Sequence, residues 1–214
     1  MDNITYENVT NYINETIQKN SDFMCELLKE ARAEHIPVIH SEAGRFLEVL
    51  LGIIKPKKIL EIGTAIGYSA MLMHTACEGN VKITTIERDK DMIERAKVNL
   101  KKAGILEDVT IIEGDALEKI KEADGEFDFV FIDAAKGQYM KFFEEIRKKV
   151  HSGSVIITDN VLFMGKVAEP GIPPRKHRTI VVNLREYLDF LCSQEELDTS
   201  IIPLGDGMAI TKVK

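Results

Sequence analysis

Asp133, Asp159 and Asn160 stand at the ends of two apolar, β-branched runs, VFIDAAKGQY from Val130 and VIITDNVLF from Val155. Glu61 lies in a third run, ILEIGTAIGYS from Ile59, which closes in a glycine turn. In an open parallel sheet, strand C-termini gather along one edge and ligands bind in the crevice outside it. The four side chains are therefore expected to meet although they are far apart in sequence. Asp133, Asp159 and Asn160 offer two carboxylates and one carbonyl oxygen, a set that suits a hard divalent cation such as Mg2+ and leaves positions for water and substrate. A substrate hydroxyl held there would be acidified. Lys136 follows Asp133 in the loop leaving the same run, placed to take the hydroxyl proton.

The glycine turn carries the second half of the chemistry. Glu61-Ile-Gly63-Thr-Ala-Ile-Gly67-Tyr68-Ser69 has glycines spaced G-x-x-x-G, with an acid before the first of them. Glycine lets the backbone bend and approach a ligand without a Cβ clash. A dinucleotide site needs G-x-G-x-x-G to seat a pyrophosphate on a helix N-terminus. An anionic Glu61 disfavours phosphate and favours an amine. Glu87 closes the next apolar run and is placed to accept from ribose hydroxyls. Gly114-Asp115-Ala116 closes the one after, where Asp115 can bond an adenine amine. An adenosine without phosphates and with a cationic amino-acid tail describes S-adenosylmethionine. The oxygen nucleophile would then attack its sulfonium methyl in line, so that catalysis is largely positioning. Each acid taken singly also fits a helix cap or loop anchor.

These residues need a scaffold that brings strand ends together. From Lys57 onward the pattern alternates: strands at Lys58–Gly63, Lys82–Glu87, Val109–Gly114, Phe127–Asp133 and Ser154–Thr158, with helices near Tyr68–Ala76, Lys90–Ala103, Ala116–Glu122 and Tyr139–Val150. Such alternation predicts right-handed crossovers and a buried parallel sheet between two helical layers, an α/β three-layer sandwich. A helix over Thr179–Leu191 follows. Thr199–Leu204 and Gly207–Val213 flank a Gly-Asp-Gly turn and read as a hairpin. Residues 1–56 form N-terminal helices, with apolar positions at Val9, Tyr12, Ile13 and Ile17, at Phe23, Leu27, Leu28 and Ala31, and at Phe46, Leu47, Leu50 and Leu51. The whole of 1–214 reads as one domain, with the catalytic core at 57–214.

Bulk properties narrow the class. With 44% hydrophobic and 29% charged residues, the composition is that of a soluble globular protein. The longest apolar stretch, FLEVLLGII from Phe46, is too short to span a bilayer. The N-terminus lacks a basic region followed by an apolar core, so a cytoplasmic location is expected. Cys25, Cys77 and Cys192 are odd in number and widely spaced, as reduced thiols are. His40 and His177 have no partners at metal-ligand spacing, and Met71, Met73 and Met92 read as packing residues. The net charge of −7 argues against a nucleic-acid coat protein but leaves room for a local basic patch.

Taken together, the motifs resemble the metal-dependent class I O-methyltransferases of the catechol and caffeoyl-CoA type, from about Pro37 to the C-terminus. The resemblance implies a doubly wound, mostly parallel seven-stranded sheet with an antiparallel last strand. It implies S-adenosylmethionine contacts at Glu61, Ser69, Glu87, Asp115 and Ala116, with a contribution near Ile39, and cofactor-side roles for Gly63 and Asp133. Metal ligands fall on Asp133, Asp159 and Asn160, and the catalytic lysine on Lys136. Within the family, IDAAKGQY, TDNVLFMG, RKHRTIV and PLGDGMAI are most similar to the bacterial tRNA 5-hydroxyuridine methyltransferases, which implies a tRNA anticodon partner. The 5-hydroxyl and 4-carbonyl of 5-hydroxyuracil are neighbours, as catechol oxygens are. Lys166, Arg175, Lys176, Arg178 and Arg185 form a basic cluster suited to flanking phosphates. Small catechol-like or caffeoyl-CoA-like phenols are the competing acceptors. Surplus apolar residues on the N-terminal helices point to a homodimer.

Overall fold

The computed structural model describes residues 4–214. Three helices come first: α1 (Glu7–Thr16), α2 (Asp22–Ala33) and α3 (Ser41–Ile54). Ser21 starts α2 by accepting the Met24 N–H in its side chain, a standard N-cap. Strand and helix then alternate: β1 (Lys58–Ile62), α4 (Tyr68–Ala76), β2 (Lys82–Glu87), α5 (Lys90–Lys102), β3 (Val109–Glu113), α6 (Ala116–Glu122), β4 (Phe127–Ile132), α7 (Tyr139–Ile146) and β5 (Val150–Thr158). A long helix, α8 (Arg178–Ser193), leads to the closing pair β6 (Leu197–Ile202) and β7 (Met208–Val213).

The strands form one seven-stranded sheet in the order β3-β2-β1-β4-β5-β7-β6. All run parallel except β7, which is antiparallel to both neighbours. This is the expected architecture, with element ends shifted by one to four residues: α7 stops at Ile146 rather than Val150, and the shifts at β5 and β6 have identifiable causes. β5 begins at Val150 rather than Ser154, because Val150 pairs with Phe127 and the chain then bulges before Val155 meets Phe129. Ser154 holds the bulge, donating to the Phe127 carbonyl at 2.8 Å and accepting the His151 N–H at 3.0 Å. β6 ends at Ile202 rather than Leu204, since Pro203 has no N–H for the ladder.

Both sheet faces are covered. On one, Leu47, Ile59, Met71, Ile83, Leu100, Phe129 and Phe131 form a core beneath α2–α5. On the other, Leu60, Ile62, Ile120, Val130, Ile132, Phe143, Leu184 and Tyr187 form a core beneath α6–α8. Along β4 successive residues serve opposite faces, which explains its unbroken apolar run. Met71 and Met73 are buried and Met92 packs against the first core. The three cysteines are free thiols. α1 buries no residue, and Tyr6, Tyr12, Val49 and Ile53 are exposed on α1 and α3. Among the described residues no helix is long and apolar enough to cross a membrane.

Candidate active site

Strand order reverses between β1 and β4, and such a switch opens a crevice at the strand C-termini. A cleft of about 410 Å³ occupies that place. Ile39, Gly63, Ser69, Glu87, Asp115, Ala116, Asp133, Lys136 and Asn160 line it, so most of the predicted site residues converge there. Glu61 and Asp159 lie just behind the wall, both fully buried.

The turn after β1 explains its glycines. Gly63 has φ +102°, and a Cβ there would sit 2.1 Å from the Asp133 carbonyl oxygen. The turn is thus pressed against the end of β4. Gly67 (φ +81°) opens α4, and Asn99 Nδ2 holds the Ile66 carbonyl at 3.0 Å. Glu87 accepts the Ala65 N–H at 2.9 Å and the Arg88 and Asp89 N–H groups at 2.8 and 3.0 Å. It is an anchor for the turn as well as a cleft wall. Asp115 likewise caps α6, its Oδ1 accepting the Leu117 N–H at 2.9 Å.

Glu61 departs most from an ordinary carboxylate. Thr85 Oγ1 donates to Oε2 at 2.6 Å, while Oε1 has no hydrogen-bond partner. Burial pushes its pKa up to about 7; the Ser69 and Thr85 hydroxyls act against the rise, and the Asp133 and Glu87 charges add to it. A buried, half-satisfied carboxylate just behind a cleft wall has the chemistry to receive a cation or an N–H group.

On the other side of the cleft, Asp133 and Asp159 extend β4 and β5, held by N–H bonds to the Ile62 and Ile132 carbonyls. Asp159 Oδ1 accepts the Asn160 N–H at 2.6 Å, and Oδ2 has no partner. Burial raises the pKa of both acids, and for Asp159 the negative charge of Asp133 raises it further. Lys136 lowers both, and His40 lowers Asp133. Lys136 Nζ donates to Asn160 Oδ1 at 3.1 Å. Two neighbouring acids, half-buried Asp133 and buried Asp159 with its orphaned oxygen, beside an amide carbonyl fit a divalent cation. Among the described residues no group of three or more His, Cys, Asp or Glu side chains forms a metal cage, so water and substrate would complete the coordination.

The basic residues divide. Arg175, Lys176 and Arg178 are exposed where the loop that follows Asn160 runs into α8, Arg178 donating to the Pro173 carbonyl at 3.3 Å. Lys166 lies 5.4 Å above the Phe163 ring. Arg185 is engaged instead within the protein, with the Val167, Glu169 and Gly171 carbonyls.

A profile of the O-methyltransferase family matches residues 14–214. The chain belongs to the O-methyltransferase family. It is 29% identical over 225 residues to a catechol O-methyltransferase of Niastella koreensis, covering 100% of both chains. It is 32% identical over 181 residues to a caffeoyl-CoA O-methyltransferase of Populus kitakamiensis, covering 80% of this chain and 76% of the relative. The SAH-bound methyltransferase PaMTH1 of Podospora anserina superimposes with a TM-score of 0.88 at 26% identity, covering 97% of this chain and 94% of that one.

This O-methyltransferase uses residues that the motifs did not single out. Thr85 is a buried hydroxyl on β2, and nothing in the Thr84-Thr85 pair distinguishes it in sequence from its half-exposed neighbour. Asp206, inside the Gly-Asp-Gly turn, is buried and accepts the Met164 N–H, while its carbonyl takes the Leu162 N–H at 3.0 Å. It tethers the loop after Asn160, where Phe163 (φ +45°) and Met164 (φ +55°) adopt left-handed conformations. Tyr139 donates to the Asp159 carbonyl at 3.0 Å. Its side chain is core-facing in sequence pattern, so no local signal marks this contact.

Proposed function

We propose that the protein methylates one hydroxyl of a vicinal oxygen pair on a flat acceptor of catechol type, using S-adenosylmethionine and a divalent cation. The observation that carries this reading is the pair of buried carboxylate oxygens, Glu61 Oε1 and Asp159 Oδ2, that no protein group satisfies. A buried acceptor without a partner costs about 1–3 kcal/mol, which an ammonium or N–H group on one side and a metal ion on the other would recover. The catechol and caffeoyl-CoA relatives and the SAH-bound neighbour support the same chemistry.

In this reading Glu61 receives the amino-acid end of the cofactor, Glu87 the ribose hydroxyls and Asp115 the adenine amine. Ile39 and Ala116 flank the cofactor and Gly63 permits its close approach. Asp133, Asp159 and Asn160 would hold the cation. When bound, the sulfonium supplies the methyl group and the cation acidifies the acceptor hydroxyl. Lys136 Nζ, beside Asn160, would receive the hydroxyl proton once it stands as the neutral amine, its own proton having first passed to solvent. The cleft walls would hold acceptor and cofactor side by side, and such positioning would supply the larger part of the catalysis.

A second reading shares all of this chemistry and differs in the acceptor: 5-hydroxyuridine at the wobble position of tRNA. The exposed Arg175-Lys176 pair and Arg178 beyond the acceptor loop favour it. The two readings separate in one assay, methyl transfer to catechol and to tRNA carrying 5-hydroxyuridine, with the wild type and an Arg175→Glu/Lys176→Glu variant. Transfer to catechol, equal in both proteins, is expected of the phenol reading. Transfer confined to tRNA and lost in the variant would replace it with the RNA reading.

A further inference from the structure

α8 makes contacts that neither its core face nor the cleft accounts for. Val181, Leu184, Tyr187, Leu188 and Leu191 bury its apolar stripe. Two polar side chains leave the helix, one for the loop between Asn160 and α8, which the proposed function places on the acceptor side, and one for the turn that carries Lys136. Arg185 Nε donates to the Val167 carbonyl at 2.9 Å, one terminal nitrogen to the Gly171 carbonyl at 3.2 Å, and the other to the Glu169 carbonyl. These carbonyls lie in the Gly165–Pro174 stretch, which forms turns and bends but no helix or strand that could engage them. A guanidinium presents five donors in a fixed plane, so one arginine can gather three carbonyls into a defined curve. Asn183 Nδ2 donates to the Gly137 carbonyl at 2.9 Å, inside the 3₁₀ turn Lys136–Gln138. Neither Arg185 nor Asn183 lines the cleft.

We infer that α8 is a scaffold for the acceptor side of the site: Arg185 positions the acceptor loop, and Asn183 positions the turn that carries Lys136. Both are positioning residues, acting through other groups. With three donors spent on carbonyls, Arg185 shapes the loop rather than gripping a phosphate. The inference rests on the O-methyltransferase reading of the cleft, and its test separates the two.

The experiment is steady-state kinetics with catechol, together with equilibrium binding of S-adenosylmethionine and limited trypsin digestion, on Arg185→Gln, Arg185→Lys and Asn183→Ala. Arg185→Gln is expected to raise the KM for catechol about tenfold, the worth of one to two hydrogen bonds, with kcat held within about threefold. Cleavage after Lys166, whose following residue is Val167, should accelerate by about as much. Arg185→Lys, which keeps the charge and loses the planar fork, should behave like Arg185→Gln. Asn183→Ala should lower kcat about tenfold at unchanged KM. Cofactor affinity should be that of the wild type in all three. Normal KM in Arg185→Lys, unchanged proteolysis, or a loss of cofactor affinity in step with activity would overturn the inference. Lys136→Met is the control on the underlying reading: if it stays active, that reading fails, while the proteolysis result still decides the role of Arg185.

Discussion

At the scale of a single residue, Glu61 is where the proposed function ties the fold to the cofactor. Its folded pKa of about 7 lies above the ordinary 4.5, chiefly because burial disfavours the charged form. The folded state without cofactor therefore holds the proton more tightly than the unfolded chain does. Stability of the cofactor-free protein should be greatest below about pH 4.5 as far as this group is concerned, and fall as pH rises towards 7, by roughly 3 kcal/mol at most. Glu61→Gln should remove this slope in urea denaturation followed across that range. The same substitution should weaken S-adenosylmethionine binding at least about tenfold, because a charged hydrogen bond becomes a neutral one. Asp159 gives a matching case on the other wall. Burial and the Asp133 charge both oppose its ionisation. Asp159→Asn should leave the melting temperature of the cation-free protein equal or higher, and lack the rise that millimolar Mg2+ is expected to give the wild type. A Mg2+-induced rise of the same size in the variant would remove Asp159 from the cation site.

At the scale of elements, the site depends on how closely the turn after β1 meets the end of β4. A Cβ on Gly63 would overlap the Asp133 carbonyl, and the residue's φ of +102° is one that side chains disfavour. Gly63→Ala should destabilise the fold by about 2 kcal/mol or more, read as a lowered urea midpoint. Much of this element-level arrangement was legible in the sequence. β1, β2, β4 and β5 are β-branched runs that end in glycine or acid, and a parallel sheet aligns such ends without further information. Residues whose partners are distant were not legible. Thr85 meets Glu61 only because β2 lies beside β1, and Asp206 reaches the loop at Leu162–Met164 only because β7 lies beside β5. Asp115 and Glu87 were read as ligand contacts, and the structure shows each anchoring backbone N–H groups as well. Arg185 reads as part of a basic cluster because it follows Arg175, Lys176 and Arg178 on the next helix; its engagement with three loop carbonyls is a tertiary fact.

At the scale of the whole molecule, a sheet with both faces buried leaves its C-terminal edge as the place where polar chemistry is concentrated. The cofactor-side acids Glu61, Glu87 and Asp115 come from β1, β2 and the end of β3, and Asp133, Asp159 and Asn160 from β4 and β5. In the proposed function the strand-order reversal between β1 and β4 sets the boundary between methyl donor and acceptor. A net charge of −7 does not draw polyanions to the molecule as a whole, so RNA contact would depend on the exposed Arg175-Lys176 edge and on ionic strength. The most direct test of the central claim compares acceptors that differ only in whether two oxygens can share one cation. Methyl transfer from labelled S-adenosylmethionine should be measured with catechol and with resorcinol, its 1,3-dihydroxy isomer, in Mg2+ and again after chelation. Label in catechol alone, lost on chelation, is the predicted result. Equal labelling of resorcinol, or labelling of catechol that survives chelation, would contradict it.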